Sequence, residues 1–277
     1  MADASSPFTQ PGPQGYPVRF AVRKAMWNDL KIYGANPKRP LRFIEKRGHL
    51  RILHFGGHRR ENSPALVTIE ENWPPRAPAP PNEVETFTIT VHTNNFSPTL
   101  HGGVATYSMD HTRCRPTTYQ FAMPIQSPVT GADVIEIFEW RRAPTCHETR
   151  GICKRNLPAV RTGDARPPED RYTYADMDGY VLVRLTGPNQ LPAGQQSGNR
   201  PLGHTRRGEE IVASWAQAKD RSPLSWPGTP LYYFQFWGSG AQAQLGEAFT
   251  HVAVLTATAT YFDKCYESRR RDAPWLY

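Results

Sequence analysis

The most constraining stretch of this chain is residues 248–262, Ala-Phe-Thr-His-Val-Ala-Val-Leu-Thr-Ala-Thr-Ala-Thr-Tyr-Phe, which carries no Asp, Glu, Lys or Arg on any face. It lies within a longer segment, 245–269, that has no proline and no glycine except Gly246, in a chain holding 27 prolines in all. That segment reads as one helix, introduced by a Gly238-Ser239-Gly240 loop. A helix that is apolar or small all round has no face to give to water, so something must enclose it. Fifteen residues, 248–262, rising ~1.5 Å each span about 22 Å, short of a bilayer core, so the enclosure is protein. Asp263, Lys264, Glu267 and Arg269-Arg270-Arg271 come next, where the helix is expected to emerge into water with cations near its C-terminus.

Short strands supply the enclosure. Val18, Phe20 and Val22 alternate with Arg19, Ala21 and Arg23, the period-2 pattern of a half-buried strand. Residues 41–44 and 50–55 form a hairpin around Lys46, Arg47, Gly48 and His49, and 65–69 adds another strand. The clearest is 85–92, with Phe87, Ile89 and Val91 on one face and Thr86, Thr88 and Thr90 on the other. Further strands are expected at 134–140, 179–185, 209–216 and 231–237. Short strands split by turn residues are the form of an antiparallel sandwich or barrel, and the enclosed helix selects the barrel. The expected fold is mainly β, an antiparallel β-barrel wrapped around a buried C-terminal helix.

The rest of the chain is organised around that unit. Residues 1–16 are polar and rich in Pro and Gly and read as a disordered tail. One domain follows over 17–272, with polar insertions at about 74–84, 144–176 and 187–207, and 273–277 forms a C-terminal tail. The N-terminus shows neither a secretory signal nor an Arg-rich transit peptide. Four scattered cysteines suit a reducing compartment, so an intracellular protein, cytoplasmic or nuclear and not secreted, is expected. The mean hydropathy of −0.61 and the lack of a long apolar run argue against a membrane-spanning segment.

The net charge of +8 is local. Residues 1–60 hold 12 Lys and Arg against 3 Asp and Glu, so the remainder is close to neutral. Arg39, Arg42, Lys46, Arg47 and Arg51 alternate with Leu41, Phe43 and Ile44, which reads as a strand face presenting cations to solvent. These five are the candidate residues for an anion or a lipid headgroup.

The chain resembles the tubby C-terminal-like superfamily, which includes the LURP-one-related proteins and phospholipid scramblases, and its uncharacterised fungal members in particular. The resembling residues are Ile137-Phe138-Glu139-Trp140-Arg141, Tyr180-Val181-Leu182-Val183-Arg184-Leu185, Glu210-Ile211-Val212-Ala213-Ser214-Trp215 and Phe236-Trp237-Gly238-Ser239-Gly240 leading into Leu245-Gly246-Glu247. Val252, Val254 and Thr256 on the helix and Arg269-Arg270-Arg271 after it complete the series, over roughly residues 18–272. The resemblance implies a barrel threaded by its last helix and a non-enzymatic binding or scaffold domain that contacts anionic phospholipid surfaces. The four isolated cysteines depart from the acylated cluster of scramblases, so lipid translocation is not implied.

Other chemistry has weaker sequence support. Cys146, His147 and Cys153, with His111 and Cys114 nearby, carry zinc-type ligands but no CxxC spacing, and Cys146 and Cys153 could instead pair. His54-Phe55-Gly56-Gly57-His58 and His101-Gly102-Gly103 have the glycine-rich form of an oxyanion turn, yet no G-x-S-x-G supplies a nucleophile. No nucleotide-binding motif occurs, so no cofactor is expected. An enzyme would have to draw acid and base groups from Glu136, Glu139, His101 and His111. Trp140-Arg141-Arg142 and Arg171-Tyr172 with Tyr174 could stack single-stranded bases, but Trp140 ends an apolar strand and reads as core, so nucleic acid is not favoured. An anionic membrane surface or a protein is the expected partner.

Overall fold

The computed structural model describes residues 12–25, 29–34, 36, 38–57, 63–72, 85–96, 104–112, 117–127, 130–142, 179–191, 203–205, 207–218 and 228–272. These contain twelve strands: β1 (Arg19–Lys24), β2 (Leu30–Tyr33), β3 (Pro40–Arg47), β4 (Leu50–Phe55), β5 (Ala65–Asn72), β6 (Glu85–His92), β7 (Val104–Thr112), β8 (Thr118–Gln126), β9 (Asp133–Arg142), β10 (Gly179–Arg184), β11 (Glu210–Gln217) and β12 (Pro230–Phe236). Each strand pairs with the next in sequence, and β12 pairs antiparallel with β1 to close the barrel. An up-and-down barrel closes antiparallel only with an even strand number, because the last strand must run against the first. Alternation aims one face of each strand inward: Phe87, Ile89 and Val91 on β6 and Tyr119, Phe121, Met123 and Ile125 on β8 are all core residues.

The chain leaves β12 through a one-turn helix at Gly238–Ala241 and then runs back through the barrel as the central helix, Gly246–Asp272. Gly240 is required at the bend, since a Cβ there would stand 2.3 Å from the Val212 carbonyl oxygen. None of the twelve residues 249–260 is more than 1% exposed, which decides between a threaded helix and a surface one. Phe249, Val252, Ala253, Val254, Leu255, Ala257 and Ala259 pack into one core with all inward strand faces.

Four buried threonines on the helix could have been unsatisfied polar groups. Instead each hydroxyl donates to a carbonyl of its own helix: Thr250 to Gly246 (2.9 Å), Thr256 to Val252 (2.8 Å), Thr258 to Val254 (3.1 Å) and Thr260 to Ala257 (2.9 Å). Their oxygens then accept from the wall. Trp140 Nε1 donates to Thr256 at 3.0 Å, and Trp215 Nε1 donates to Thr260 at 2.9 Å. With the Thr258 hydrogen committed to Val254, the Tyr232 hydroxyl is the donor in their 2.6 Å contact. Three aromatic residues from β9, β11 and β12 thus fix the rotation and height of the helix.

Several boundaries differ from the sequence reading. The N-terminal tail was expected to extend to residue 16, but Gly12–Tyr16 is ordered, because Tyr16 is 2% exposed and packs in the main core. Strands β2, β7 and β8 were not anticipated. Asp263 and Lys264, expected in water, are each 8% exposed, so the helix emerges later than its charge pattern suggests. The ends of the expected 187–207 insertion are tied down, with Leu191 N–H bonded to the Gly208 carbonyl at 2.8 Å. The expected insertions at 74–84 and 144–176 lie outside the described residues.

Burial on all sides predicts that an aspartate scan of residues 253–258 finds no tolerated position. Val254→Asp and Leu255→Asp should each abolish soluble, cooperatively melting protein, because an unpaired carboxylate enters a dry interior. Thr256→Val keeps the volume but orphans the Trp140 indole N–H, and should lower the unfolding free energy by about 1–3 kcal/mol in a denaturant titration.

Candidate functional site

The helix enters the barrel beside Phe236 and leaves it beside the β3–β4 turn, and the candidate basic residues divide between these two mouths. Eight residues of extended chain separate Arg39 from Arg47, about 26 Å at strand rise, so one small ligand cannot touch both. At the entry mouth Arg39 is exposed, and Arg42 lies over the rings of Tyr16 (5.2 Å) and Phe55 (5.0 Å). At the exit mouth Lys46 and Arg51 are direct cross-strand partners, and both lie over Phe262 of the helix, at 4.5 and 5.1 Å. Arg47 points outward, where Glu45 accepts from its Nε at 2.7 Å. The expected solvent-facing strand of cations is therefore corrected for Arg51, which is fully buried because inward alternation, not charge, sets its direction.

Arg51 has a further peculiarity. Its Nη1 lies 2.5 Å from Glu71 Oε1 and donates to the His49 carbonyl at 3.3 Å, while its Nε and Nη2, both buried, have no hydrogen-bond partner. Nε and Nη2 form the side-on fork of a guanidinium, which matches two oxygens of a carboxylate or phosphate. In Arg19 and Arg184 the same fork is filled: Arg19 grips the Gln235 side-chain oxygen, and Arg184 grips both oxygens of Glu136.

The candidate acid and base groups do not converge among the described residues. Glu136 is held by Arg184, which also reaches Glu210 at 3.2 Å and Ser239 Oγ at 3.4 Å. Burial opposes the Arg184 charge, but hydrogen bonds and attraction from Glu136 and then Glu210 outweigh it and raise its pKa. The Ser239 N–H donates to Glu210 at 2.8 Å, and Gly238 leaves room for that carboxylate. Glu139 accepts from Arg141 on the outer side, and Arg141 also donates to Glu209 at 2.6 Å. His111 is buried inside, stacked 4.4 Å from Tyr119, whose hydroxyl donates to Asp263 at the exit mouth. His101 and its glycines lie outside the described residues. Gly57 has a packing explanation, since a Cβ there would stand 2.0 Å from the Pro40 carbonyl oxygen.

Cys146, His147 and Cys153 also lie outside the described residues, as do Arg171, Tyr172 and Tyr174. Among those described, no group of three His, Cys, Asp or Glu side chains could hold a metal ion, and no helix is long and apolar enough to cross a membrane. Trp140 is core, with its indole committed to Thr256, and Arg141 is committed to two carboxylates, so this pair is not a base-stacking platform.

Sequence reasoning missed a cluster at the entry mouth. The Tyr16 hydroxyl and His251 Nδ1 share a hydrogen bond of 3.1 Å, and His251 Nε2 faces Glu247 Oε1 at 3.6 Å, one helical turn back. Burial lowers the His251 pKa against the opposing hydrogen bond to Glu247, and burial also pushes the Tyr16 phenol well above its usual range. The signal was present: a histidine inside an enclosed helix needs an internal partner, and Tyr16 was the nearest unplaced phenol before β1.

Because the folded-state pKa of His251 lies below its unfolded value, the unfolded chain binds the extra proton between the two. This contribution to stability is complete above about pH 6.5 and is lost as the pH falls through the folded value. Denaturant titrations at about pH 7.5 and 5.5 should show a drop for the wild type that is smaller in His251→Gln. Arg184→Met leaves Glu136 and Glu210 as buried, unpaired carboxylates and should cost about 3–5 kcal/mol in the same assay. No family model, curated protein or solved structure matches the chain, so its function has to be argued from this geometry.

Proposed function

We propose that this protein is a non-enzymatic binding or scaffold domain of the tubby C-terminal-like architecture, which meets anionic phospholipid surfaces through its exit mouth. The closed antiparallel barrel threaded by its last helix supports the architectural part. The observation that carries the functional part is the gathering of basic positions from both ends of the sequence at one mouth. Lys46, Arg47 and Arg51 come from the β3–β4 hairpin, and the helix backbone carries residues 269–271, all arginine, out beside them. Glu45 and Glu71 balance Arg47 and Arg51, so the attraction has to come from Lys46 and the helix end together. The intact chain would work inside the cell, where inner-leaflet lipids are anionic.

Co-sedimentation with phosphatidylcholine vesicles, with and without phosphatidylserine, tests the reading at low and high salt. Binding should require phosphatidylserine and fade with salt. Lys46→Gln should lower it about fivefold, the factor that ~1 kcal/mol of polybasic attraction is worth, while Arg39→Gln at the opposite mouth should leave it unchanged. Equal binding to neutral vesicles, or equal effects of the two substitutions, would refute it.

A further inference from the structure

The barrel wall is not evenly laced. β6 and β7 pair over eight residue pairs and β8 and β9 over nine, but β7 and β8 pair only over Met109↔Phe121, Asp110↔Gln120, His111↔Tyr119 and Thr112↔Thr118. Towards the entry mouth the two strands separate, leaving a notch bordered by residues 104–108 of β7 and 122–126 of β8, each edge about 17 Å long at strand rise.

Which groups face the notch follows from the ladders. The Ile137 N–H donates to Thr186 and its carbonyl accepts from Leu185, so Ile137 faces β10 and its neighbours Glu136 and Phe138 face β8. Alternation then makes Phe121 and Met123 face β9, and turns Ala122, Pro124 and Gln126 toward β7. Pro124 thus places its hydrogen-free nitrogen in the notch, which explains why β8 stops pairing with β7 and protects that edge. By the same alternation Gln120 bonds to Asp110, and Val104, Thr106 and Ser108 aim their N–H and C=O groups into the notch. The ladder with β8 stops at Met109, and no proline or lysine stands among residues 104–108 to guard the edge.

A second observation marks the same place. Of the four large apolar side chains that stand exposed among the described residues, Val104 (60%) stands on the β7 edge of this notch, and Val134 (49%) and Ile135 (63%) lie one strand further on, on β9, paired with Ile125 and Pro124 of the β8 edge. Among the described residues, the exposed charged side chains beside it are Asp110 and Asp133, both acidic in a chain of net charge +8. Burial, and after it the charge of Asp133, raises the pKa of Tyr107 on β7.

We propose that the open β7 edge receives an extended peptide as an added strand, one with alternating apolar side chains and flanking basic residues. Main-chain hydrogen bonds to Val104, Thr106 and Ser108 hold it, Val104 contacts its apolar side chains, and Asp110 and Asp133 select its cations. A second copy of this chain fits less well, because its own β7 edge carries Asp110 and no lysine or arginine to meet the acidic groups of the first.

Amide hydrogen exchange on the full chain, read by NMR, tests this with the capped heptapeptide Lys-Val-Thr-Val-Thr-Val-Lys as probe. Alone, the protein should exchange the amides of Val104, Thr106 and Ser108 much faster than those of Ala105 and Tyr107, which bond to β6. The probe should slow the former about tenfold or more. A Glu-flanked version of the probe should bind more weakly, and Thr106→Pro, which removes an N–H used by no ladder, should abolish the protection. Three results would each overturn the proposal: edge amides already protected in the free protein, protection that grows with protein concentration without peptide, or equal binding of the Lys- and Glu-flanked probes.

Discussion

Enclosure of the central helix is the constraint on which the rest of this structure depends. A helix with water on one side can leave polar groups there; this one has no such side from residue 249 to 260. Every polar atom it carries must therefore be answered inside the barrel. Four threonines answer themselves by bonding back to their own helix, and three of them also accept from Trp140, Trp215 and Tyr232. Each such bond is worth only about 1 kcal/mol net, but breaking one strands a buried donor, which costs more. Dispersion and apolar burial supply the bulk of the stability, while these directional contacts select one rotation of the helix.

Filling the barrel with a helix moves chemistry to its ends and its wall. Side chains that alternate inward near a mouth can still be charged, and there the structure pairs them: Arg184 with Glu136 and Glu210 at the entry, Arg51 with Glu71 and Tyr119 with Asp263 at the exit. Buried pairs of this kind add little net stability compared with apolar residues, but they penalise any arrangement that separates them. They close the two mouths in one register. Arg51 differs from Arg19 and Arg184 in keeping a buried fork without a hydrogen-bond partner, and the exit mouth is where the basic hairpin and the helix end come together.

The enclosed helix was legible because absence of charge over fifteen residues admits few explanations, and the barrel followed from it together with strands such as 85–92. β8 is equally periodic, with Tyr119, Phe121, Met123 and Ile125 alternating, and its one contrary signal is Pro124, a residue seldom found in a paired strand. The structure shows that this proline faces an unpaired stretch, where it does no harm. β2 is only four residues long, and β7 mixes Tyr, Met and His with Ser and Asp, so neither carried a clear pattern. Charge was read with least success: alternation of Arg and Lys with apolar residues looked like a solvated face, whereas Arg51 points inward. Sequence reveals which residues alternate, but only closure of the barrel decides which face is in.

The central claim is that the helix is held on every side and released only when the barrel opens. Native-state amide exchange across residues 252–260, measured against the amides of β6 and β12, tests it most directly. All helix amides should exchange with the opening free energy of global unfolding, the same as the most protected strand amides. Faster exchange recurring every three to four residues, or release of the helix while the strands stay protected, would mean that one face meets solvent and that the barrel does not depend on what threads it.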